Sequence, residues 1–176
     1  MQIRLELCTL RAWRTSDAPA LVPLANNRNV WRNLRDAFPH PYGEADAESW
    51  IARHVGVEPV RFFAIEHQGE LAGSIAVIPL EDVGRRSAEI GYFVGEPFWG
   101  RGIATDAVRG ISAYAFDTFP DLARIHAFVY EWNPASMRVL EKAGYEREGV
   151  LRKSVWKDGE LIDSVVYARL TRASAP

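Results

Sequence analysis

A chain of 176 residues, 48% hydrophobic and 25% charged, has the length and balance of a soluble globular domain that can bury a sizeable core. With 21 basic against 23 acidic side chains its net charge is −2, which removes any bulk electrostatic argument for nucleic acid or an anionic membrane. No run approaches the roughly 18 apolar residues of a membrane span, and the amino-terminal MQIRLELCTLRAW alternates where a signal core would be continuously apolar, so a cytoplasmic location is expected.

Residues 3–12 read as one strand. Ser16 is placed to cap a helix whose Ala20, Leu21 and Leu24 form an apolar stripe, and Pro23 bends or shortens it. A second helical segment is expected near 28–36. The proline-rich FPHPY is a loop, after which Glu44 to His54 reads as an amphipathic helix with Ala47, Trp50, Ile51 and Val55 inward. Residues 60–67 and 71–80 form a hairpin around Gln68 and Gly69, and 87–95 adds a third neighbouring strand. A helix expected over about 102–116 sets Ala104, Ala107, Val108, Ile111 and Ala115 on one face, small enough for close approach to a sheet. The strand at 124–131 then runs parallel to 87–95, because the two bracket a helix. Strands at 146–156 and 160–170 join through the turn residues Lys157, Asp158 and Gly159. The order predicts one α+β domain over 1–171 with a mixed sheet, and a polar tail at 172–176.

Cys8 is the single cysteine, which excludes an internal disulfide; in a strand-like segment it reads as a packed thiol, with a reactive one as the alternative. His40, His54, His67 and His126 show no ligand-pair spacing, so no metal site is expected.

The chemistry concentrates in GYFVGEPFWGRGIAT, residues 91–105, where a strand runs through a glycine-punctuated turn into a helix. Gly100 and Gly102 leave backbone N–H groups uncovered at a helix start, where they and the helix dipole converge on an anion, and Arg101 adds a full positive charge. A P-loop is excluded, because Arg101 and Gly102 stand where its lysine and hydroxyl belong. A dinucleotide fingerprint fails at Thr105, in the place of its third glycine. A plain strand-to-helix turn is the bland alternative. A second motif, NPASMRVLEKAGY at 133–145, opens with Asn133 as N-cap and Pro134 at the first helical position and closes on Gly144.

Together the two motifs resemble the GNAT acetyltransferases, whose acetyl-CoA loop reads Arg/Gln-x-x-Gly-x-Gly/Ala and whose later helix opens with Asn and ends in E-K-x-G-[FY]. This chain has Trp99-Gly100-Arg101-Gly102-Ile103-Ala104 and Glu141-Lys142-Ala143-Gly144-Tyr145. Trp99 departs from the usual Arg or Gln and removes one side-chain phosphate contact; it looks like the RimJ/RimL branch, the ribosomal-protein N-terminal acetyltransferases. The resemblance also takes in 10–21, 38–51, 88–94 and 148–170. It implies a mostly antiparallel sheet of about seven strands with a splayed central parallel pair. It further implies acetyl-CoA as cosubstrate, a primary amine as acceptor and no nucleic-acid or membrane partner, and it leaves a homodimer open.

The implied reaction is direct attack of an amine on the thioester, which needs a proton acceptor, a donor for the developing oxyanion and a route to protonate the thiolate. The resemblance places pantetheine against the backbone of Phe93 and Val94, with the Val94 N–H as oxyanion donor. It places the phosphates on Trp99, Gly100, Arg101, Gly102, Ile103, Ala104 and Thr105. Glu89 is the candidate base, directly or through water; the alternatives are a carboxylate that attracts the acceptor cation, a solvated charge, or Glu131 as base instead. Ser136, at the N-x-x-S position, is a candidate proton donor to the thiolate or a cofactor contact, and Asn133 a contact to the pantetheine amide beside its capping duty. The acceptor is expected to be a protein or peptide α-amine. The alternatives are a small-molecule amine such as an aminoglycoside, polyamine or amino acid, for which Asp36, Glu89 and Glu131 would have to gather, or a non-catalytic acetyl-CoA sensor.

Overall fold

Residues 1–171 are described by a computed structural model; the tail expected at 172–176 lies outside them. The amino-terminal alternation is broken in two. Strands β1 (Gln2–Arg4) and β2 (Thr9–Ala12) form a hairpin, closed where Leu5 N–H donates to Cys8 O at 2.9 Å. The single strand expected at 3–12 is therefore corrected to two, which raises the count from about seven to eight.

Ser16 caps nothing. It lies in a short 3-10 turn, and helix α1 (Ala18–Ala25) starts after Asp17, whose carboxylate turns inward to Arg11. Arg11 sends Nη1 and Nη2 to the two Asp17 oxygens at 2.8 and 2.9 Å and Nε to Glu66 at 2.6 Å. Arg11 and Asp17 are both buried. Helix α2 (Arg28–Trp31) is a single turn, shorter than the segment expected at 28–36. Asn27 starts it by accepting from the Asn29 and Val30 N–H groups, and the chain then tightens into i→i+3 bonds at Asn33 and Leu34. Helix α3 (Glu44–Ala52) buries Ala47 and Ile51, whereas Val55 falls beyond it and is exposed.

Strands β3 (Phe62–His67), β4 (Glu70–Pro79) and β5 (Ser87–Val94) form the expected meander. Helix α4 (Ile103–Thr118) follows, then β6 (Arg124–Tyr130), α5 (Pro134–Lys142), β7 (Glu146–Lys157) and β8 (Glu160–Leu170). The sheet order is β1-β2-β3-β4-β5-β6-β8-β7, antiparallel except for β5 beside β6. This is the α+β arrangement the sequence predicts.

The sheet is covered on two faces. Phe62 meets Trp50 of α3 edge-on at 5.9 Å, while its neighbour Phe63 meets Tyr114 of α4 at 5.2 Å, so α1–α3 lie on one face and α4 on the other. Ala107, Val108, Ile111 and Ala115 of α4 are fully buried, as their spacing predicts; Ala104 is only half-buried. Burial of a side chain such as Ile111 or Phe63 contributes about 1.5–3 kcal/mol. Helix α5 ends in a Schellman cap: Gly144, with φ +86°, lets its own N–H reach Glu141 O and that of Tyr145 reach Leu140 O, both at 3.0 Å. Among the described residues no helix is long and apolar enough to cross a membrane, and no three His, Cys, Asp or Glu side chains gather to hold a metal.

Candidate active site

The register of β5 and β6 opens a slot through the sheet. Ser87 pairs with Arg124, Ala88 with Ile125 and Glu89 with His126, and the pairing stops there although β5 continues to Val94 and β6 to Tyr130. The other edge of β5 decides which backbone groups face this slot. Leu80 N–H donates to Ser87 O at 2.9 Å and Gly95 N–H to Ala72 O at 2.8 Å. Bonded pairs alternate along an antiparallel ladder, so odd-numbered residues of β5 turn to β4 and Ile90, Tyr92 and Val94 turn their N–H and C=O groups into the slot. Val94 thus offers an open N–H. The Phe93 backbone faces β4, and Phe93 presents its ring instead, 5.6 Å from Phe38.

A cleft of about 1080 Å³ follows the slot and brings together Glu89, Phe93, Val94, the 99–105 loop, Asn133 and Ser136. On the α4 and α5 side it is built for an anion. Gly100 and Gly102 have φ of +76° and +81°, a region that side-chain-bearing residues avoid. No side chain caps α4, so the N–H groups of its first turn stay open at the positive end of 16 helical residues. Arg101 lies 5.6 Å from the Phe98 ring, and Trp99 ties the loop to the slot by donating its indole N–H to Val94 O at 2.6 Å.

Asp106, an acid in the first turn of α4, turns away to accept the Leu7 and Cys8 N–H groups at 2.7 and 3.2 Å. The Cys8 thiol lies 3.6 Å from the same oxygen, and burial, helped by that charge and hydrogen bond, pushes its pKa up to about 12. It is a packed thiol, not a reactive one. Arg138 and Lys142, one turn apart on α5, border the same cleft. The sequence reading passed over this basic i, i+4 pair.

Asn133 caps α5 by accepting the Ser136 N–H at 3.1 Å. The Ser136 hydroxyl in turn lies 2.7 Å from that of Tyr92, which the sequence reading also missed. Burial raises the Tyr92 pKa, so its phenol remains a donor at alkaline pH. Both acceptors within its reach, Ser136 Oγ and the Ser136 carbonyl at 3.4 Å, belong to one residue. With Tyr92 donating, the Ser136 proton is left for another acceptor.

The opposite side of the slot belongs to the α1–α3 face. Glu89 points there and accepts from Arg35 Nη2 at 2.5 Å through one oxygen. Asp36 accepts from the fully buried Lys157 at 2.6 Å, and the ammonium of that lysine also sits 3.6 Å from the Trp31 ring centroid. Glu131 does not line the cleft; its Oε1 accepts the Asp163 N–H at 2.9 Å. Each of the three carboxylates that a polycation would need is thus engaged in a contact of its own. His126, beside Glu89 in the register, is kept toward the neutral form by burial.

The sequence has counterparts of the same build. Residues 8–146 match the family model described as an acetyltransferase (GNAT) domain. The chain is 27% identical over 166 residues to the SPbeta prophage-derived uncharacterized N-acetyltransferase YokL of Bacillus subtilis strain 168, covering 92% of this chain and 89% of that one. It is 28% identical over 158 residues to the spermidine N(1)-acetyltransferase of Escherichia coli K12, covering 89% and 82% respectively. Among solved structures, Mycobacterium smegmatis RimJ in complex with CoA-disulfide superposes with a TM-score of 0.79 at 26% identity, covering 97% of this chain and 86% of that one.

Proposed function

The chain belongs to the GNAT family of acetyl-CoA-dependent N-acetyltransferases, and from that premise we propose that it acetylates the α-amine of a peptide or protein amino terminus. The observation that carries this reading is the state of the carboxylates at the acceptor mouth. Of the carboxylates that line the cleft, Glu89 is paired with Arg35 and Asp46 accepts the Gly43 N–H, so among the described residues no cluster of unpaired carboxylates faces a polyamine or aminoglycoside. The likeness to RimJ is in keeping with it.

In this reading the pyrophosphate rests on the first turn of α4 and Arg101, with Arg138 and Lys142 close by for the remaining phosphate charge. Pantetheine threads the slot, and the thioester carbonyl takes the Val94 N–H. The acceptor enters from the α1–α3 face. Glu89 takes a proton from the ammonium, directly or through water, through the oxygen that Arg35 leaves open. The nitrogen lone pair attacks the carbonyl carbon, the C–S bond breaks as the carbonyl re-forms, and the thiolate receives the Ser136 proton, while the second proton that the nitrogen sheds in becoming an amide passes through solvent to restore the serine hydroxyl. Tyr92, donating to Ser136 Oγ, acts as a positioning residue.

Thiol release from acetyl-CoA tests the acceptor class. Peptides with a free α-amine should respond more strongly than spermidine, an aminoglycoside or amino-blocked peptides that carry lysine. Dominant spermidine turnover would replace the reading with a small-molecule one, and tight acetyl-CoA binding with no turnover on any amine would leave a sensor. For the proton route, Ser136→Ala should lower kcat by about tenfold, less than a full general-acid contribution. The reason is that a thiol ordinarily titrates near pH 8.5, so its anion leaves tolerably without help. Tyr92→Phe should lose a similar or smaller factor, and the double variant no more than Ser136→Ala alone. Losses that multiply would detach Tyr92 from Ser136.

A further inference from the structure

The segment 28–36 carries three arginines on the acceptor side, and two of them are neutralised. Arg28 reaches both oxygens of Asp158 at 2.8 Å, and Arg35 holds Glu89. Arg32 makes no ion pair among the described residues; its guanidinium carbon lies 4.8 Å from the centroid of the Trp132 ring. Three polar atoms of Arg32, Asn33 and Trp132, all of which line the cleft, have no hydrogen-bond partner among the described residues. The Arg32 Nε–H and Trp132 Nε1–H lack an acceptor, and the Asn33 Oδ1 lacks a donor, although all three atoms are closed to solvent. Buried polar groups left unmade are costly and uncommon, but Trp13 Nε1, His126 Nδ1 and Ser164 Oγ are left in the same way elsewhere, so the unpaired Arg32 charge on the cleft is the informative feature.

The charge balance of that wall points the same way. Arg53 also borders the cleft, with its Nε given only to the Ser49 carbonyl at 3.2 Å. The carboxylates on the same lining are Glu89, held by Arg35, and Asp46, which accepts the Gly43 N–H at 2.8 Å. An unneutralised guanidinium on a wall whose carboxylates are already engaged suits an oxyanion. Trp132 adjoins Asn133, at the end of the slot where α5 begins, so a group bound there lies close to the acetyl end of the cleft.

Building on the α-amine reading, we propose that Arg32, its guanidinium held against the Trp132 ring, forms an oxyanion subsite for the acceptor. The favoured acceptor is then an amino terminus followed closely by an acidic side chain. Arg32 is the specificity-determining residue. Its contribution is electrostatic and weakens as salt rises.

The test is a peptide series with a free amino terminus and Asp, Asn or Lys at the second position, run beside a free amino acid and its amide, and beside spermidine. The wild type should favour Asp over Asn by about tenfold in kcat/KM, and disfavour Lys further. Arg32→Gln should bring the Asp to Asn ratio close to one, with acetyl-CoA affinity unchanged as the check on folding. Equal wild-type rates on Asp and Asn peptides, or a ratio that survives Arg32→Gln, would overturn the subsite. A carboxylate preference confined to the free amino acid over its amide would overturn the acidic-peptide occupant and assign the anion to the α-carboxylate of a single amino acid. Spermidine turnover with no peptide turnover would instead count against the α-amine reading on which the subsite rests.

Discussion

Glu89→Gln should lower kcat by about 100-fold or more, the scale on which a general base acts, and leave acetyl-CoA affinity within about twofold. The substitution keeps the shape of the side chain and an oxygen for Arg35, whose Nη2 lies 2.5 Å from Glu89 Oε1. What it removes is proton acceptance. An α-amine ordinarily titrates near 7.7–8.0, so at neutral pH much of the acceptor arrives as an ammonium with no lone pair to give. Above that range the amine is already neutral, and the deficit should shrink as pH rises. Steady-state rates across the pH range decide between two duties for one carboxylate: a deficit that stays the same at alkaline pH means Glu89 orients the acceptor and takes no proton.

Arg11→Met should destabilise the fold by about 3–5 kcal/mol, the cost of leaving one half of a buried pair behind. The side chains of Arg11 and Asp17 are 6% and 9% exposed, and Glu66 shares the same guanidinium. Methionine fills much of the volume but leaves Asp17 with only the Arg14 N–H, at 2.8 Å. Urea unfolding measures the loss directly. Adding Asp17→Asn should recover part of it, since an amide costs less to bury than a lone carboxylate. A loss below about 1 kcal/mol would mean the pair behaves like a surface one.

What was legible in the sequence was whatever rests on local geometry. The glycine turn, the Asn133 cap and the Gly144 stop arise from neighbours within a few residues of one another, and the parallel pair follows from the helix that its two strands bracket. Misreadings came where distant groups override the local pattern. Residues 3–12 alternate well enough for one strand, yet Asp106, from the first turn of α4, fixes a turn at Leu7 and Cys8. The segment 28–36 has a strong cap in Asn27 but keeps helical bonding for one turn, and its side chains then reach out to Glu89, Asp158 and Lys157. Glu89 itself was visible as a carboxylate near the slot, whereas its ion pair was not, because Arg35 stands 54 positions away. Tyr92 escaped notice for a similar reason. Nothing in EIGYFV says that this hydroxyl will meet the one on α5.

The last described strand is not at the edge of the sheet. β8 sits between β6 and β7, and the end of β7 and the turn after it carry Lys157 and Asp158, which fasten Asp36 and Arg28 across 121 and 130 positions. A ribosome delivers residues in order, at about 5–20 per second. The glycine loop and Glu89 therefore emerge well before the strand that completes β6 and the two charges that pin the acceptor wall. During that interval the donor half of the site can assemble while the acceptor half has no anchor, and β6 carries a bare edge. Long-range pairing of this sort is slow to form, so the acceptor wall is the part of the site whose assembly waits on the most distant contacts in the chain.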